Sequence, residues 1–170
     1  TLTFWFYLSS TQSYGTGFLG GRWWVACPSQ YPEHRVAYII FYNHGNRKPQ
    51  FWIADNDFSD CTTNDGADGK LTSSSALKVG AWNFIAVVHK SGEYMGIFVN
   101  GVYNQAVYTS GVTPDGPIVS FGCDSNNNYC GVAGLYDEAR IYNRALSEQE
   151  MRLLGHTINP GEITTLKVWD

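Results

Sequence analysis

The 170-residue sequence predicts an all-β sandwich of two antiparallel sheets with one short helix near the C-terminus. Three observations predict it. Short apolar runs alternate with Gly-, Ser-, Asn- and Asp-rich turn signals along most of the chain. Asn100-Gly101 joins two such runs directly, and both central positions of a type I′ turn need the positive φ that Asn and Gly tolerate best. Only the segment after Leu146 carries convincing helix start signals. Many strands and one short helix make a two-layer β architecture.

Taken in order, strands are expected over residues 2–8, 23–26, 36–42, 51–54, 82–89, 94–99, 102–108, 118–122 and 132–142. Residues 9–17 read as a Ser-, Thr- and Gly-rich connection, and 55–75 as a long polar loop. A loop of that length in a compact domain is functional or is pinned by a staple or an ion. The helix is expected from Ser147 to Leu154, with Ser147 as N-cap and Glu150 completing a capping box. Leu146 and Met151 form the flanking staple, and Gly155 is the expected stop. Leu135, Ile141 and Leu146 are expected to lie inward, with Trp5 and Trp82 largely buried. No repeat or low-complexity linker divides the chain. Residues 1–170 therefore read as one domain, with 163–170 a C-terminal strand extension.

Aromatic residues supply 15% of the chain and charged residues only 15%, a balance suited to pleated, half-buried surfaces. The net charge of -4 and the scatter of the Lys and Arg residues argue against a nucleic-acid partner. No apolar run approaches the roughly 18 residues of a membrane span. The chain opens on Thr1 without an initiator Met, as expected of a processed product or a piece of a larger protein, and both fit secretion. Cys123 and Cys130 flank a polar segment, where a covalent clamp contributes on the order of 2–3 kcal/mol in chain-entropy terms. Pairing them leaves Cys27 with Cys61, one of the three connectivities four cysteines allow. A zinc site is the rival reading, but the chain has no Cys-x-x-Cys and no His near a Cys in sequence. Disulfides place the protein outside the cell or on its surface.

Three features follow one another in a telling order: the strand Trp82-Asn83-Phe84-Ile85-Ala86-Val87-Val88, the Asn100-Gly101 hairpin, and Asp137-Glu138-Ala139-Arg140-Ile141-Tyr142 leading into the helix. On these residues the chain resembles the laminin-G-like/pentraxin-like group of concanavalin A-like sandwiches. The resemblance covers most of the chain and implies a jelly-roll fold. It also implies calcium in acidic loops, and for Asp137 a structural role, with Arg140 pairing a nearby carboxylate to hold the final strand. Thr1-Leu2-Thr3-Phe4-Trp5-Phe6 resembles the strand that usually follows the family's opening strand. That opening strand is missing upstream, and Ile163 to Trp169 is an added segment after the helix. A sandwich short of one strand exposes an unpaired edge.

No catalysis is expected. Glycosidases need two carboxylates flanking the scissile bond, and no Glu-x-Asp or Glu-x-x-Glu falls on an expected strand. Asp137 and Glu138 are neighbours, which a strand sends to opposite faces. No Gly-x-Ser-x-Gly or phosphate loop is present. Calcium is the candidate cofactor, with Asp55, Asp57 and Asp65 as candidate ligands in a loop that also holds Asp60 and Asp68. Ordinary solvated turns have the same composition, so both readings stand. In Trp23-Trp24 and Phe51-Trp52 a strand sends one ring inward and the other out. An outward Trp24 or Trp52 offers a face to the C–H side of a sugar ring, while core and edge packing is the plainer role. Two functions remain. One is a non-catalytic recognition or adhesion module for a glycan or cell-surface protein. The other is a structural subunit of an extracellular filament, pilus or virion, a homo-oligomer in which residues 163–169 add a strand to a neighbour. For that segment, folding back beside residues 2–8 of its own chain is the entropically cheaper alternative.

Overall fold

A computed structural model describes residues 1–10, 16–22, 38–53, 69–107, 120–122, 132 and 134–157. In chain order the strands are β1 (Leu2–Leu8), β2 (Thr16–Arg22), β3 (Tyr38–Asn43), β4 (Pro49–Ile53), β5 (Gly69–Thr72), β6 (Trp82–Lys90), β7 (Tyr94–Val99), β8 (Val102–Val107), β9 (Ser120–Phe121) and β10 (Gly134–Ile141). The helix α1 spans Glu148–Thr157. The strands form two antiparallel five-stranded sheets, ordered β10-β1-β6-β7-β8 and β5-β4-β3-β2-β9. This is the predicted sandwich.

Alternation in β1 builds the core. Leu2, Phe4, Phe6 and Leu8 all point to one side and are buried there. Ile85 and Val87 of β6 and Met95, Ile97 and Val99 of β7 join them from the same sheet. Ile40, Tyr42, Phe51 and Ile53 meet them from the other. Burying each large apolar side chain contributes about 1.5–3 kcal/mol.

β6 does not alternate, because both its faces are covered. Phe84, Ala86 and Val88 turn away from the inter-sheet core and pack with Phe98, Leu146 and Met151 under α1. The capping box forms as predicted. The Ser147 N–H donates to Glu150 Oε2 at 2.8 Å, and the Glu150 N–H donates to Ser147 Oγ at 3.3 Å. Gly155 is not the stop. The helix runs through it to Thr157, and a Cβ at Gly155 would lie 2.8 Å from Phe84 Cδ1. Its small size lets α1 settle on the sheet.

The hairpin is also as predicted: Asn100 and Gly101 have φ of 50° and 91°. Two strands were not legible. Thr16–Arg22 is rich in Gly, and Gly69–Thr72 lies inside the expected loop; each is a strand because a neighbour pairs with it. The reading of β10 needs correction. Leu146 is buried, but Leu135 is 59% and Ile141 65% exposed. Trp5 and Trp82 are largely though not fully buried, as expected. β10 pairs only with β1 among the described strands, and it bulges between its pairings with Thr3 and Trp5. Glu138, at φ 50°, sits in that bulge. Leu135 lies opposite Tyr7 on the outer face, and Ile141 opposite Leu2 at the open end of the core. Arg140 binds Glu138 at 2.6 Å on its own strand, so this pair bridges the bulge rather than tying β10 to the sheet.

Candidate functional site

Of the residues singled out in the sequence, Trp24, Asp55, Asp57, Asp65, Cys27, Cys61, Cys123 and Cys130 lie outside the described residues, as do residues 163–170. Trp52 is described. β4 turns Phe51 and Ile53 into the core and Trp52 outward. There the edge of Phe41 meets its ring at 4.9 Å, and Lys70 Nζ stands 4.6 Å from the ring centroid. The half-buried indole thus has a cation over one face, a contact worth about 0.5–1 kcal/mol at such sites. A sugar on that face must displace Lys70. Among the described residues no cluster of three or more His, Cys, Asp or Glu is placed to hold a metal.

A different region offers an open volume. At the end of the sandwich where β1 begins, β6 and β10 finish, as the pairings Leu2 with Val87 and Leu2 with Ile141 require. The second sheet brings the Tyr38–Ile53 pair to the same end. Between the sheets lies a cavity of about 700 Å³, within the size range of ligand pockets. Leu2, Phe51, Ile53 and Val87 form its apolar floor, and Ile141 adds an exposed apolar side chain. Lys90, Ser91, Asn143 and Arg144 stand on its rim.

Thr1 fixes one side of this mouth. Its Oγ1 donates to the Arg144 carbonyl at 2.7 Å and accepts from the Leu146 N–H at 3.0 Å. The Tyr142 N–H donates to the Thr1 carbonyl at 2.8 Å. The link from β10 to α1 is therefore held against the start of β1. Both rim cations are ion-paired behind the mouth: Lys90 with Glu93 at 2.7 Å, and Arg144 with Glu150 at 2.6 Å. Arg144, followed by the Ser147 N–H and hydroxyl, holds the Glu150 carboxyl down at about 2. Glu93's hydrogen bond raises the Lys90 ammonium above its ordinary value. Among the described residues, no Asp or Glu lines the cavity.

Lys90, Ser91, Asn143 and Arg144 carried no signal in the sequence. They stand at element ends with no special spacing, and only the strand register brings them together. A prediction of pairing, not a motif, was the way to find them.

A family model described as the concanavalin A-like lectin/glucanases superfamily matches residues 1–152. No curated protein sequence matches the chain. Among solved structures, a tryptophan-to-alanine mutant of HCR/D superposes with a TM-score of 0.63 at 16% identity, covering 91% of this chain and 36% of that one. The receptor-binding domain of botulinum neurotoxin mosaic serotype C/D gives 0.61 at 17% identity, covering 91% and 35%. Domains LG4-5 of the mouse laminin alpha1 chain give 0.52 at 15% identity, covering 82% and 33%. The chain spans about a third of the length of these structures, and at such identities the likeness is one of fold.

Proposed function

The chain belongs to the concanavalin A-like lectin/glucanases superfamily, and we propose that it is a non-catalytic extracellular recognition module that binds a glycan or a surface protein at the open mouth of the sandwich. The observation that carries this reading is the cavity of about 700 Å³ with an apolar floor and a polar rim. Among the described residues its lining supplies no carboxylate, whereas glycoside hydrolysis needs two across the scissile bond. Two solved relatives of the fold, a toxin receptor-binding domain and a laminin chain, bear names that suit recognition better than chemistry.

Asp55, Asp57 and Asp65 are proposed as calcium ligands that assist this binding. The segment carrying them leaves β4 at Ile53, a residue of the cavity floor, and returns at Gly69, which pairs with Ile53. Bound calcium would supply a charge able to take ligand oxygens. The Cys123–Cys130 and Cys27–Cys61 disulfides belong to the same proposal, and mass mapping of a non-reduced digest tests them.

Ser91→Trp places a bulky ring on the rim at an exposed position. On arrays of glycans and of cell-surface proteins, in calcium and in chelator, the wild type should bind and this variant should not. Silence of the wild type on both arrays in both conditions overturns the reading. So does undiminished binding by Ser91→Trp.

One observation favours the second reading, a structural subunit that adds a strand to its neighbour. Among the described residues β10 pairs only with β1, and its Leu135 and Ile141 are exposed. Deleting residues 163–170 tests it: assembly requires a folded protein that no longer self-associates.

A further inference from the structure

The mouth is apolar where it is deep and cationic where it is shallow. Leu2, Phe51, Ile53 and Val87 close its floor, and Ile141 stands beside Leu2 with 65% of its surface uncovered. A hydroxyl-rich sugar pressed onto these side chains would give up water without gaining hydrogen bonds. An apolar group would gain from the same contact. Among the described residues, the charged side chains of the lining, Lys90 and Arg144, carry one sign. Their partners, Glu93 and Glu150, are not among the lining residues, and exposed ion pairs of this kind are weak enough to be exchanged. An anion arriving at the rim meets both cations and, among the described residues, no carboxylate of the lining.

We infer that the mouth takes an apolar side chain flanked by a carboxylate, presented by a partner protein. The inference rests on the proposed use of this mouth and narrows its ligand from glycan or surface protein to the second. The apolar side chain enters between Ile141 and the floor, and the carboxylate remains at the rim with Lys90 and Arg144.

Three short probes separate the parts: acetyl-Phe-Glu-Phe-amide, its Gln counterpart, and acetyl-Ser-Glu-Ser-amide, each titrated by saturation-transfer NMR. The first should bind, the Gln peptide about fivefold more weakly, and the Ser peptide not measurably. The double variant Lys90→Gln/Arg144→Gln should erase the difference between Glu and Gln peptides. Ser91→Trp should abolish binding of both. Equal binding of the Glu and Gln peptides overturns the inference, as does failure of the Phe-Glu-Phe peptide to bind. If the peptides fail while Ser91→Trp removes binding to a glycan, the mouth is a sugar site and only the inference falls. If Ser91→Trp leaves every ligand bound, the reading of the mouth falls with it.

Discussion

The two ends of this sandwich treat their polar groups in opposite ways. At one end, where β1 finishes and β6 begins, Asn83 is fully buried and serves as a hub. Its Nδ2 donates to the carbonyls of Lys78 and Ala81, both at 2.9 Å, and of Phe6 at 3.3 Å. Its Oδ1 accepts from the Lys78 N–H and from Asn100 Nδ2, both at 2.8 Å. Asn100 in turn exchanges bonds with the Phe84 backbone, locking the β7–β8 hairpin to β6. At the other end the sheets leave a cavity, and the two rim cations pair with carboxylates outside its lining. One end spends its polar groups on closure; the other keeps them at the surface. A stabilising network and an open cavity thus occupy opposite ends of the same strands.

The comparison can be broken most severely at the closed end. Asn83→Leu strands several buried donors and acceptors at once and should cost about 3 kcal/mol or more, read by urea denaturation. A loss below about 1 kcal/mol would mean that the hub is not what closes this end. Gly155→Ala drives a methyl into Phe84 beneath the C-terminal half of α1. Overpacking should outweigh the better helix propensity, with a net loss of about 1 kcal/mol. Ser147→Ala removes the N-cap beside the mouth and should cost about 1 kcal/mol, seen as a lower Tm.

The mouth has its own pH signature. Glu150's folded value of about 2 lies below the ordinary 4.5, so its contribution is fully present above about pH 4.5 and is lost as pH falls toward 2. Arg144→Gln should flatten that part of the stability curve. The smallest stability effect is expected from Ser91→Trp, within about 0.5 kcal/mol of wild type, although it should remove binding.

What the sequence showed divides along the same line. Local rules sufficed where the physics is local. The period of two in β1, the positive φ of Asn100-Gly101 and the Ser147–Glu150 box each need only near neighbours. They failed where tertiary contact decides. Gly155 looks like a stop until Phe84 is placed beneath it. Leu135 looks like core until β10, which among the described strands pairs only with β1, proves to carry a bulge. Asn83 looked like one polar residue in an apolar run, and only packing shows it as the hub. The mouth is the extreme case, since residues from both sheets and from the β10–α1 link meet there without any shared motif. Trp52 was legible as outward-facing, but not the Lys70 above it.

We place binding at the open end. Amide and indole NMR shifts of the wild type, recorded while acetyl-Phe-Glu-Phe-amide is titrated in, test it directly. Shifts should concentrate at Lys90, Ser91, Ile141, Asn143 and Arg144, while Asn83, Asn100 and the Trp52 indole stay still. Shifts centred on Trp52 and Lys70, with the rim unmoved, would contradict the account and move recognition to the outer face of the second sheet.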